Sequence, residues 1–74
     1  MTNYQFLITI DPQVRFGKPC IKGTRISVYD VLSWLASGMD SKEILKDYPE
    51  ISNEAIQACL SFAADREHKI IRAA

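Results

Sequence analysis

The same local instruction for starting a helix is written three times along this chain, and it fixes most of what the chain can become. Ser27 stands three residues before Asp30, with Ile26 ahead of the cap and Val31 four residues after it. Asp40 stands three residues before Glu43, flanked in the same way by Met39 and Ile44. Ser52 repeats the arrangement with Ile51 and Ile56, although Ala55 replaces the acid. A Ser or Asp oxygen accepts a backbone N–H that the first helical turn leaves unpaired, and the apolar pair fixes the angle of entry. The spacing therefore predicts three helices.

The stops agree with the starts. A first helix over about 28–37 meets Gly38, suited to the left-handed position after a helix, and carries the stripe Val28, Val31, Leu32, Leu35. Tyr29 and Trp34 border that stripe, as core rim or as an interface anchor. A second helix over about 41–47 is closed by Pro49 and offers Ile44 and Leu45, then Tyr48. A third over about 53–67 carries Ile56, Cys59, Leu60 and Ala63 at helical spacing. Residues 28–67 read as a three-helix unit and 68–74 as a short tail.

Ahead of the helices, residues 4–10 alternate in the period of a half-buried strand, with Tyr4, Phe6, Ile8 and Ile10 on one face. Asp11-Pro12 ends it. A strand needs a neighbour, so either residues 19–22 pair with it or a second protomer does. The first face is thus the candidate dimerisation set, and we expect a homodimer. Between Phe16 and Arg25, two glycines and a proline mark turns, so residues 1–27 read as a strand and a basic loop.

The chain has 74 residues, 47% of them apolar and 24% charged, which bounds it to one globular domain with a small core. The fold class expected is α+β, mainly α: a strand and ordered loop on a three-helix, helix-turn-helix-like bundle. No apolar run is long enough for a membrane span, and the N-terminus lacks the pattern of a signal peptide. Cys20 and Cys59 are too few for a disulfide framework, so we expect a cytoplasmic protein with reduced thiols. Together with His68 they are too scattered for a zinc site, and nothing suggests an orienting group for Cys–His catalysis. We expect no enzyme, no metal, no cofactor and no small-molecule substrate.

Net charge is zero but uneven: residues 1–27 carry +3, residues 28–65 carry −5 and the remainder +2. A short helix, a tight connection and a longer helix form the helix-turn-helix layout. If the third helix entered a major groove, Ser52 would start it at a phosphate. Asn53, Glu54, Gln57 and Ser61 would then lead, with Asn and Gln able to pair with adenine. Phosphate neutralisation supplies most of such binding, and this helix has no cation before Arg66. The loop cations Arg15, Lys18, Lys22 and Arg25 would have to be brought beside it. The bland alternative is a solvated polar face on a generic bundle.

Several segments together carry a resemblance. They are Asp11-Pro12, Gly17-Lys18-Pro19-x-Ile21-x-Gly23-Thr24-Arg25-Ile26, Leu35-Ala36-x-Gly38, Glu43-Ile44-Leu45-x-Asp47-Tyr48-Pro49 and Ala55-Ile56-x-Ala58. Over roughly residues 5–64 the chain resembles the small bacterial proteins of the domain-of-unknown-function 433 family. The resemblance implies a helix-turn-helix-like fold and the antitoxin half of a two-gene toxin–antitoxin pair, similar in role to VapB antitoxins. It implies a PIN-like ribonuclease toxin as partner, with autoregulation through operator DNA. About eight residues follow the third helix here, so we expect the toxin contact to use Ile70-Ile71-Arg72, the head loop or a helix face rather than a long wrapping tail.

A PIN-like nuclease site is a carboxylate cluster around a metal ion, and a guanidinium pairs bidentately with carboxylates. Arg25, Arg66 and Arg72 are therefore candidate toxin contacts, together with Ile70 and Ile71. Arg25 has a competing role, tying the Gly23-Thr24 turn to a carboxylate or to carbonyls of its own fold. Ile70 and Ile71 have one too, as a last helical turn packing on the strand. Two other classes stay open: a helix-turn-helix DNA-binding regulator without a toxin, and a purely structural interaction module.

Overall fold

The computed structural model describes residues 6–73, with side chains described through residue 66. Tyr4 lies outside the described residues. The elements run β1 (Ile8–Thr9), β2 (Cys20–Ile21), α1 (Val28–Ala36), α2 (Ser41–Asp47) and α3 (Asn53–Ala73). The class is α+β and mainly α, as the sequence implies.

The helix starts form where the caps place them. The Ser27 hydroxyl accepts the Asp30 N–H at 2.9 Å, and the Asp30 carboxylate accepts the Ser27 N–H at 3.0 Å. Asp40 and Glu43 make the same reciprocal pair at 2.9 and 3.2 Å. The Ser52 hydroxyl accepts the Ala55 N–H at 3.1 Å. Each such cap stabilises its helix by about 1 kcal/mol. Gly38 follows α1 at φ +106°, a left-handed position that a side chain would resist.

Val31, Ile44 and Ile56 are fully buried and lock the three helices together. Ala55, Ala58 and Cys59 complete the buried face of α3, and the two alanines let neighbouring elements approach its backbone closely. Leu60, expected on that stripe, is 40% exposed, because the buried face turns through Ala55 and Ala58 and leaves Leu60 on its flank. Trp34 stacks on Tyr48 with ring centroids 4.0 Å apart and planes 11° from parallel, joining α1 to the end of α2.

Two features differ from the sequence reading. α3 runs on to Ala73 where a stop near 67 and a short tail were expected; no glycine or proline interrupts residues 67–73. Among the described residues, the strand expected over 4–10 pairs at Ile8 and Thr9, antiparallel to Ile21 and Cys20, with the Lys22 N–H donating to the Leu7 carbonyl at 2.8 Å. Its partner is short because Pro19 has no N–H to extend the ladder and a turn at Lys22-Gly23 follows at once. Ile8 is buried, whereas Phe6 is 73% and Ile10 64% exposed, so these residues do not share one buried face. The strand finds its neighbour within the chain, and that edge needs no second protomer.

Candidate interaction surface

The basic loop is folded tightly onto the first turn of α1. Asp11-Pro12 opens a turn closed by the Val14 N–H on the Asp11 carbonyl at 2.9 Å. Arg15, Phe16 and Gly17 then follow one another at φ +52°, +59° and +82°. Left-handed backbone costs a non-glycine residue about 1–2 kcal/mol, so two in succession need compensation. Arg15 supplies it. Its guanidinium donates to the Arg25 carbonyl at 2.8 Å and to Asp30 Oδ2 at 3.1 Å. The outcome is that Phe16 stands 99% exposed.

The Asp30 carboxyl is held below its ordinary range. Its partial burial pushes the other way, but hydrogen bonds from the Ser27 backbone, from Arg15 and from the Ser27 hydroxyl, with the Arg15 charge, outweigh it. From sequence, Arg25 is the residue expected to tie the Gly23-Thr24 turn to a carboxylate or to carbonyls of the fold. Arg15 takes that role, and Arg25 contributes only its carbonyl to the tie.

The second half of the loop is fastened by backbone bonds. The Thr24 N–H and hydroxyl both donate to the Ile21 carbonyl, at 3.0 and 2.9 Å. Gly23 at φ +80° occupies the position of this turn that asks for left-handed backbone. The Val28 N–H donates to the Pro19 carbonyl at 2.9 Å, binding the loop to the start of α1.

A groove of about 540 Å³ opens between this loop, α1 and α3. Its apolar wall is Pro19, Val28, Leu32 and Phe62, with the 72% exposed Tyr29 at its margin. Lys18 comes from the loop and Arg66 from α3, and Arg66 lies over the Phe62 ring at 5.5 Å. Lys18, a candidate phosphate contact, and Arg66, a candidate toxin contact, come to one groove. Nothing in the sequence announces that pairing, since the two residues are far apart in it. A second hollow of about 510 Å³ gathers Lys22 and Arg25 with Asp11 and Thr9.

The polar start of α3 is separate from both hollows. Asn53, Glu54 and Gln57 are exposed and Ser61 is half-buried, while the Ser52 oxygen is committed to its cap. Ile70, Ile71 and Arg72 lie on the last turns of α3, with side chains outside the described residues. Cys20 and Cys59 are buried, and burial pushes the Cys59 thiol up to about 11. Among the described residues, no three His, Cys, Asp or Glu side chains group as metal ligands, and no helix is long and apolar enough to cross a membrane.

Comparison with known proteins places this geometry. The family model described as "Protein of unknown function (DUF433)" matches residues 8–63. "Uncharacterized protein y4eO" of Sinorhizobium fredii is 32% identical over 57 residues, which is 77% of this chain and 26% of that protein. The chain thus spans about a quarter of the length of that relative. The crystal structure of a DUF433 member protein from Anabaena variabilis superposes with a TM-score of 0.80 at 30% identity. That match covers 93% of this chain and 68% of the other.

Proposed function

The chain belongs to the DUF433 family, and from that premise we propose that it is the antitoxin of a type II toxin–antitoxin pair. In this role it is a non-enzymatic, cytoplasmic protein that binds and neutralises a PIN-like ribonuclease, and it acts as a homodimer. The observation that carries the proposal is Phe16, 99% exposed on a left-handed turn. A large aromatic displayed in water at a backbone cost contributes nothing to the core. It gains its return when a partner buries it, as aromatic anchors of interfaces do. Inhibition then works by cover: the partner's carboxylates meet cations of the loop or of α3, and its apolar surface meets Phe16.

Light scattering in line with size exclusion tests this on the chain alone and mixed with the protein encoded by the neighbouring gene. A dimer that shifts to a larger stoichiometric complex, followed by loss of ribonuclease activity, supports the role. A chain that ignores its neighbour removes it.

A second role, binding operator DNA, is favoured by Asn53 and Gln57, which stand exposed at the start of α3. Against it, Arg15 uses its guanidinium within the fold, leaving Lys18, Lys22 and Arg25 as the loop's contribution to phosphate neutralisation. Asn53→Ala and Gln57→Ala should change sequence preference, and affinity should fall steeply with salt. Binding indifferent to both substitutions would take α3 out of the account.

A further inference from the structure

We infer that the groove between α1 and α3 receives an acidic amphipathic helix of the partner protein. The identity of that partner rests on the antitoxin role proposed above; the chemistry of the segment comes from the groove. Its wall is apolar, formed by Pro19, Val28, Leu32 and Phe62. Among the described residues, the charged ones that line it, Lys18 and Arg66, are both cations. They come from different elements, so one segment lying in the groove meets positive charge from the loop and from α3. The capped start of α1 at Ser27-Val28 adds the positive end of a helix dipole to the same rim. The nearby carboxylate Asp30 does not cancel this charge, because it is committed to Arg15 and Ser27.

These features select among occupants. A peptide that added as a strand would need backbone partners from a strand edge, and the groove is lined by two helices and a loop. A helix presents apolar anchors at i, i+3, i+4 and i+7 and needs no such ladder. A nucleic acid would set phosphates against an apolar wall, leaving polar groups desolvated and unpaired. A second copy of this chain fits poorly. Its acidic helix α2 buries its apolar residue Ile44 and carries Lys42 and Lys46 among its acids.

The test is a titration of the neighbouring gene's protein by isothermal calorimetry against the wild-type chain and three variants, each checked for its helical circular dichroism. Tyr29→Ala removes an exposed ring at the margin and leaves the core intact. Lys18→Glu with Arg66→Glu reverses the rim. Lys42→Glu with Lys46→Glu makes the same charge change on α2, away from the groove. Affinity should fall about tenfold or more for the first two variants and stay within about twofold for the third.

A complex that forms equally well with all the variants overturns the groove and leaves the antitoxin role standing. Equal losses in the two charge-reversed variants also overturn it, since that reports net charge alone. Rim reversal that dissociates the chain's own dimer and spares the complex assigns the groove to a second copy. If the wild-type chain binds nothing from the neighbouring gene, the antitoxin role fails and the inference with it.

Discussion

The Arg15 guanidinium reaches across fifteen positions to Asp30 Oδ2 at 3.1 Å, and that same oxygen accepts the Ser27 N–H that begins α1. Loop geometry and helix start therefore depend on one carboxylate. Asp30→Ala removes both at once and should lower stability by about 1–2 kcal/mol in urea unfolding. Arg15→Ala should cost less, about 1 kcal/mol, because each side chain of the pair is about a third exposed. The double variant should lose less than the sum of the two single losses. Strict additivity would mean that the pair is not coupled.

The same carboxylate sets an acid limit. Its folded pKa lies below the ordinary 3.8, so the folded state gains from its ionised form. That gain is fully present above the unfolded pKa and is lost as pH falls through the folded one. Thermal melts of wild type and Asp30→Asn should differ at neutral pH and converge as pH drops below about 4. A gap that stays constant into acid would assign the stabilisation to a neutral hydrogen bond.

Phe16 offers a test in which stability and binding move apart. Phe16→Gly relieves left-handed strain and removes no buried contact. Stability should hold steady or rise by up to about 1 kcal/mol, the glycine's larger unfolded-state entropy offsetting part of the relief. Partner affinity should fall about tenfold or more in the same variant. A loss of both would make Phe16 a folding residue.

Thiol accessibility reports the core. Cys20 is 1% exposed and Cys59 0%, and the Cys59 thiol is pushed up to about 11 by burial. Neither should react with a disulfide reagent at neutral pH on the time scale of mixing. Both should react at the rate of opening once urea is added. Fast labelling of one thiol in the native protein would mark local opening around it.

The helices were legible because each cap acts within four residues. Ser27, Asp40 and Ser52 needed no distant partner to declare themselves. The strand was legible as a type and not as a length, since its extent depends on how much of the chain around Cys20-Ile21 can pair, and Pro19 limits that. The assignment of the loop's tie to Arg15 over Arg25 was hidden. It turns on positive φ at Arg15 and on a carboxylate fifteen residues away, and neither follows from residue type. The groove was hidden for the same reason: Lys18 and Arg66 meet only after α3 has packed on α1.

The stacking of Trp34 on Tyr48 has an optical consequence. Trp34 is the chain's sole tryptophan, and it does not line the groove where Tyr29 stands. Its emission should change when α2 separates from α1. The one indole thus reports the opening of that stack, because Trp34 loses Tyr48 when the helices part.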